Sequence, residues 1–141
     1  MKKAATWANL AFATLVVVGV PLQVYFIASS VSGAGKTALD LHEGTGGIIH
    51  LAEVLVFLTG LAAFWGNWKW VGWCFLLPVL GTVQIGFAGN DPDKGWVHGI
   101  HGLGALLVFL LAAFIAHHDL RVLGLKGGAG THSTPAAPPP A

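Results

Sequence analysis

Four long apolar runs dominate this chain of 141 residues, and between them they contain a single Asp, Glu, Lys or Arg, Glu53. The runs are Ala8 to Val31, about Gly46 to Trp65, Trp70 to Phe87, and Trp96 to His117. A helix needs roughly 20 mostly apolar residues to cross about 30 Å of hydrocarbon. Each run meets that requirement, and the short connections favour antiparallel neighbours. The expected fold is therefore all-α: an integral membrane four-helix up-and-down bundle over residues 1–126. Residues 127–141, with Gly127-Gly128-Ala129-Gly130 and Pro138-Pro139-Pro140, are read as a disordered Gly/Pro-rich tail.

Composition removes most other classes. Only 9% of residues are charged, where a soluble domain carries about 25%. The net charge of +1 provides no basic field, so no nucleic-acid partner is expected. The single cysteine, Cys74, excludes an intrachain disulfide, a CxxCH haem attachment and any multi-cysteine metal centre. No GxSxG elbow is present. Gly33-Ala34-Gly35-Lys36-Thr37 lacks the strand that a phosphate loop requires.

The first run follows Met1-Lys2-Lys3 and could be read as a signal peptide ending near Ser32-Gly33-Ala34. It is much longer than the 7–15 residues of a signal core, so a retained helix is expected. Pro21 and Pro78 fall inside the first and third runs, where kinks are expected. Orientation follows the distribution of Lys and Arg. With the N-terminus inside, Lys2, Lys3, Lys69, Arg121 and Lys126 face the cytoplasm, against only Lys36 and Lys94 outside. Both termini are thus expected in the cytoplasm, in a multi-pass protein of the inner (plasma) membrane.

Histidine carries the polar chemistry. His42, His50, Glu53 and Gly46 fall on one face of the second span, within an arc of about 80° if the helix already runs at His42. His98, His101 and Gly102 form a similar stripe on the fourth. These spans descend in the same sense and stand diagonally in an up-and-down bundle, so the stripes can face each other. Imidazoles flanking small residues suit a haem, with one axial nitrogen from each side. Lys36 and Lys94 would then serve its propionates.

Depth separates the possible pairs. His50 is 15 residues above Trp65 and His101 is 16 above His117, a match within about 1.5 Å of helix rise. His50 and His101 are therefore the favoured axial ligands, with His42 and His98 as the competing pair. His117 and His118 are read as boundary residues at a helix C-terminus, and His132 lies in the tail. An ionisable residue within a span is a functional candidate in its own right, and Glu53 is a possible proton relay. Gln23 and Gln84 are read as interhelical hydrogen-bonding residues. Gly60, Gly81, Gly86 and Gly102 would permit close helix packing.

The openings His42-Glu43-Gly44-Thr45-Gly46 and His98-Gly99-Ile100-His101-Gly102 resemble an uncharacterised family of small four-helix membrane proteins found in actinobacteria. They are also similar to one half of haem A synthase and to four-helix b-type cytochromes, over about residues 8 to 120. The haem A synthase resemblance implies haem-ligating histidines on the second and fourth helices, at positions corresponding to His42 and His98. The chain is only one half of that enzyme in length, so oxygen-dependent chemistry is not carried over.

Three functions compete. The leading one is a b-type haem protein for electron transfer, or a haem-bearing accessory subunit of a larger membrane complex. A second is a Zn, Cu or Fe site or a proton relay, built on the i,i+3 pairs His50/Glu53 and His98/His101. The third is a structural accessory subunit of a respiratory or photosynthetic complex, or one that binds a chlorin pigment through one histidine. The lipid bilayer and either a larger complex or a homo-oligomer are the expected partners.

Overall fold

A computed structural model describes residues 2–88 and 95–125, and these are helical apart from short turns, with no strand among them. Helix α1 spans Lys2–Ser29, α2 Gly35–Ala63, α3 Trp68–Gly86 and α4 Gly95–Val122. The expected tail, together with Lys94, Lys126 and His132, lies outside the described residues.

The expectation of four separate helices is corrected here. Among the described residues there are three helical stretches, because α1 runs into α2 through a five-residue bend, Ser30–Ala34, with no loop between them. The second helix therefore begins at Gly35, and residues 36–45 are helical where a connection was expected. The bend depends on Gly33 at φ 111° and Gly35 at φ 63°, backbone conformations in which a Cβ is strained. Ser30 Oγ donates to the Gly35 carbonyl across it at 3.1 Å. Lys36 Nζ donates to Asp40 Oδ1 at 2.6 Å in the first turns of α2.

The arms fold back antiparallel. Asn9 on α1 meets Val56 and Thr59 on α2, Gly19 faces Ile49, and Gln23 bonds to Thr45. Around the molecule, α1 packs on α2 and α4, and α3 packs on the same two helices. Helices α2 and α4 are thus diagonal, as the sequence suggested. Val16, Val56, Leu77, Ala112 and Ile115 are fully buried at the centre.

The outer surface carries many apolar side chains, with Leu15, Val18, Leu51, Leu58, Leu103 and Leu110 all exposed. A helix that is hydrophobic all round belongs inside a large protein or in a membrane. Two stretches, Lys2–Ala63 and Gly95–Val122, are long and apolar enough to cross one. Both prolines lie within helices, and Thr82 Oγ1 donates to the Pro78 carbonyl at 2.8 Å.

Candidate functional site

Polar side chains gather at two ends of the bundle. At the end that holds the α1–α2 bend, His42 on α2 and His101 on α4 approach across the diagonal. Their ring centroids are 6.3 Å apart and their planes meet at 71°. Each ring is held by the helix beside it. His42 Nδ1 donates to the Gln23 carbonyl of α1 at 3.0 Å, and His101 Nδ1 donates to the Gln84 carbonyl of α3 at 2.8 Å. A carbonyl only accepts, so in both neutral rings Nδ1 carries the proton and Nε2 keeps its lone pair. Gln84 belongs to the last turn of α3, and its carbonyl also accepts from Phe87 N–H at 3.1 Å, so His101 adds a second donor to that helix end.

Gln23 contributes twice, since its side-chain amide donates to Thr45 Oγ1, which in turn donates to the Leu41 carbonyl at 2.5 Å. The interhelical role expected of Gln23 is thus filled by both side chain and backbone. A Cβ at Gly46 would stand 3.3 Å from Gln23 Oε1, whereas one at Gly102 would meet nothing within 4 Å. His98 is half-buried one turn before His101. Lys36 sits near this end, exposed and paired with Asp40.

His50 is engaged differently. Its Nδ1 donates to Glu53 Oε2 at 2.7 Å, and its Nε2 stands 3.5 Å from Thr82 Oγ1 on α3. Glu53 is 1% exposed. The space it fills exists because position 81 is glycine, for a Cβ there would overlap the carboxylate. Gly60 similarly admits Cys74, while Gly86 meets nothing within 4 Å.

Sequence reasoning missed a second polar group, at the end that holds the N-terminus. Asn9 is fully buried, with Nδ2 donating to the Val56 carbonyl at 2.6 Å and to Thr59 Oγ1 at 3.0 Å. Asp119 is also fully buried, and His118 Nδ1 lies 3.4 Å from its Oδ1. Asn9 Oδ1 and Asp119 Oδ2 have no hydrogen-bond partner. His118 stacks on Trp70 at 3.4 Å and so is more than a boundary residue. Helical spacing held the missing signal: Asn9 continues the buried row Ala13, Val16 and Val20, and Asp119 continues Val108, Ala112 and Ile115. A cleft of about 460 Å³ opens beside this group, lined in part by Lys2, Lys3, Phe64, Asn67 and His118.

Among the described residues no three His, Cys, Asp or Glu side chains converge as a metal site would require. Two imidazoles with fixed tautomers do converge, those of His42 and His101. Compared with protein-family models, curated proteins and solved structures, the chain has no match.

Proposed function

We propose that this chain is a small multi-pass membrane protein that holds one haem b between His42 and His101 and passes electrons. It would do so alone, as a homo-oligomer, or as a haem-bearing accessory subunit of a larger membrane complex. The observation that carries the reading is the His42–His101 pair. The two ring centroids stand 6.3 Å apart, on facing helices and at the same height in the bundle. Metal-ligating histidines also hold the other ring nitrogen in a hydrogen bond to a carbonyl or carboxylate, as both do here.

The donor set fits the group. Haem would supply reversible one-electron chemistry. His42 and His101 would bind it, the Gln23 and Gln84 carbonyls would orient the rings, and Gly102 would leave space beside them. Lys36 and Lys94 remain the candidates for the propionates. A chlorin held by one histidine would leave the second imidazole without a purpose. A bare Zn, Cu or Fe would need more ligands than this pair provides.

The positive-inside rule puts Lys2, Lys3, Lys69, Arg121 and Lys126 in the cytoplasm and leaves only Lys36 and Lys94 outside; in that orientation the haem would lie near the outer face of the plasma membrane. A reduced-minus-oxidised spectrum of the purified protein tests the proposal. A b-type spectrum is expected, lost in both His42→Ala and His101→Ala and retained in His50→Ala. Protein with no Soret band and no extractable haem would overturn it.

A further inference from the structure

The cleft at the end of the bundle away from the His42–His101 pair has a chemistry of its own. It encloses about 460 Å³ between the start of α1 and the ends of α2 and α4. That volume falls within the range of roughly 300–1,000 Å³ usual for sites that hold small molecules. Lys2 and Lys3 bring two ammonium groups to its wall, and among the described residues neither has an ion-pair partner. No carboxylate of the described residues lines it, for Asp119, the acid beside the lining His118, is fully buried. Helix α4, which ends at the cleft, needs no cap from the lysines. Leu125 N–H donates to the Leu120 carbonyl at 2.8 Å and Gly124 N–H to the Arg121 carbonyl at 3.1 Å, with Gly124 at φ 75°. The two positive charges are left for a ligand that brings its own negative charge.

The rest of the lining narrows the kind of anion. Phe64, Val122 and Leu123 form an apolar wall, and Val122, 55% exposed, carries that wall out onto the surface. A small soluble anion would use the lysines and leave the wall bare, whereas an anion attached to hydrocarbon meets both. Trp7, Trp65 and Trp68 are exposed at the same end of the bundle. Tryptophans of this kind mark the headgroup level of a bilayer, so in a membrane-spanning chain the cleft lies at the depth of lipid phosphates. A zwitterionic headgroup would bring an ammonium for which the lining offers no carboxylate. An anionic headgroup avoids that mismatch.

We propose that this cleft binds the phosphate of an anionic phospholipid of the phosphatidylglycerol type. Lys2 and Lys3 hold the phosphate oxygens, the Asn67 side-chain amide donates beside them, and the glycerol and upper acyl chain lie against Phe64 and Val122. Basic pockets between membrane helices recognise anionic headgroups through the same forces. The site rests on the membrane reading and not on the haem.

The test is native mass spectrometry of the full chain released from neutral detergent. Phosphatidylglycerol is titrated against phosphatidylcholine with the same acyl chains, and helicity is checked for every variant. Saturable binding of phosphatidylglycerol is expected, weakened about fivefold in Lys2→Gln and again in Lys3→Gln, the effect of one charge near a lipid surface. Lys69→Gln removes an exposed cation that does not line the cleft and should bind as wild type does. Inorganic phosphate should fail to displace the lipid. Absence of saturable binding, equal affinity for phosphatidylcholine, unchanged affinity in the folded Lys2→Gln/Lys3→Gln double variant, a loss in Lys69→Gln equal to that in Lys2→Gln, or displacement by inorganic phosphate would each overturn the proposal. The readout is bound lipid and the haem proposal is read by spectrum, so either can fail alone.

Discussion

Glu53 and Asn9 show how single polar side chains are made tolerable in an apolar interior. Glu53 is accommodated by the missing Cβ of Gly81 and by His50 Nδ1 at 2.7 Å. The atom that Gly81→Ala would strike is the tip of a flexible side chain, but one 1% exposed with little room to retreat. Gly81→Ala should therefore destabilise the protein by about 1–3 kcal/mol, the range for overpacking a close-packed core. The loss should be smaller when measured in a Glu53→Ala background. A double-mutant cycle of unfolding in detergent measures this coupling, and strict additivity would contradict the contact. Asn9 donates to the Val56 carbonyl and to Thr59 Oγ1. Interhelical hydrogen bonds in membrane proteins average about 0.6 kcal/mol and reach about 1.7. Asn9→Ala should lose about 1 kcal/mol in the same assay, and an unchanged midpoint would show that these bonds carry no net stability.

At the scale of elements, the bend between α1 and α2 separates glycines that look alike in sequence. Gly33 sits at φ 111°, and a Cβ added there would have nothing within 4 Å, so Gly33→Ala is opposed by backbone strain alone. A loss of about 1 kcal/mol is expected. Gly47 is also in open space but lies inside α2 with helical backbone, and Gly47→Ala should gain up to about 1 kcal/mol. Thermal unfolding of the two variants should move in opposite directions; the same sign for both would contradict the bend. This bend was the part of the fold least visible in the sequence. The apolar runs revealed the central lengths of the helices, which a membrane span would demand. Lys36, Asp40 and Glu43 lie beyond that demand, and nothing in their polarity distinguishes a solvated helix from a loop. The helix that was expected to begin at Gly46 consequently begins at Gly35, eleven residues earlier, where two left-handed glycines reverse the chain without a loop.

For the whole molecule, the diagonal of α2 and α4 was readable from the alternation of four spans, and with it the helices on which the histidines would meet. Their register was not. Counting residues from Trp65 and His117 pairs His50 with His101 only if both helices end at one height. The folded bundle instead brings His42 to His101 and turns His50 toward Glu53, contacts set by the axial offset between helices that share no sequence pattern. Asn9 and Asp119 escaped attention for a related reason: their burial depends on which face of α1 and α4 turns inward. Orientation in the membrane can be tested with the chain's own thiol as a silent background, because Cys74 is fully buried. In Lys36→Cys the new thiol replaces a side chain that is 83% exposed near the bend. If both termini are cytoplasmic, a membrane-impermeant maleimide added to intact cells should label Lys36→Cys, while Lys2→Cys should react only after the membrane is opened. The reverse pattern would invert the protein and move the His42–His101 pair to the cytoplasmic side.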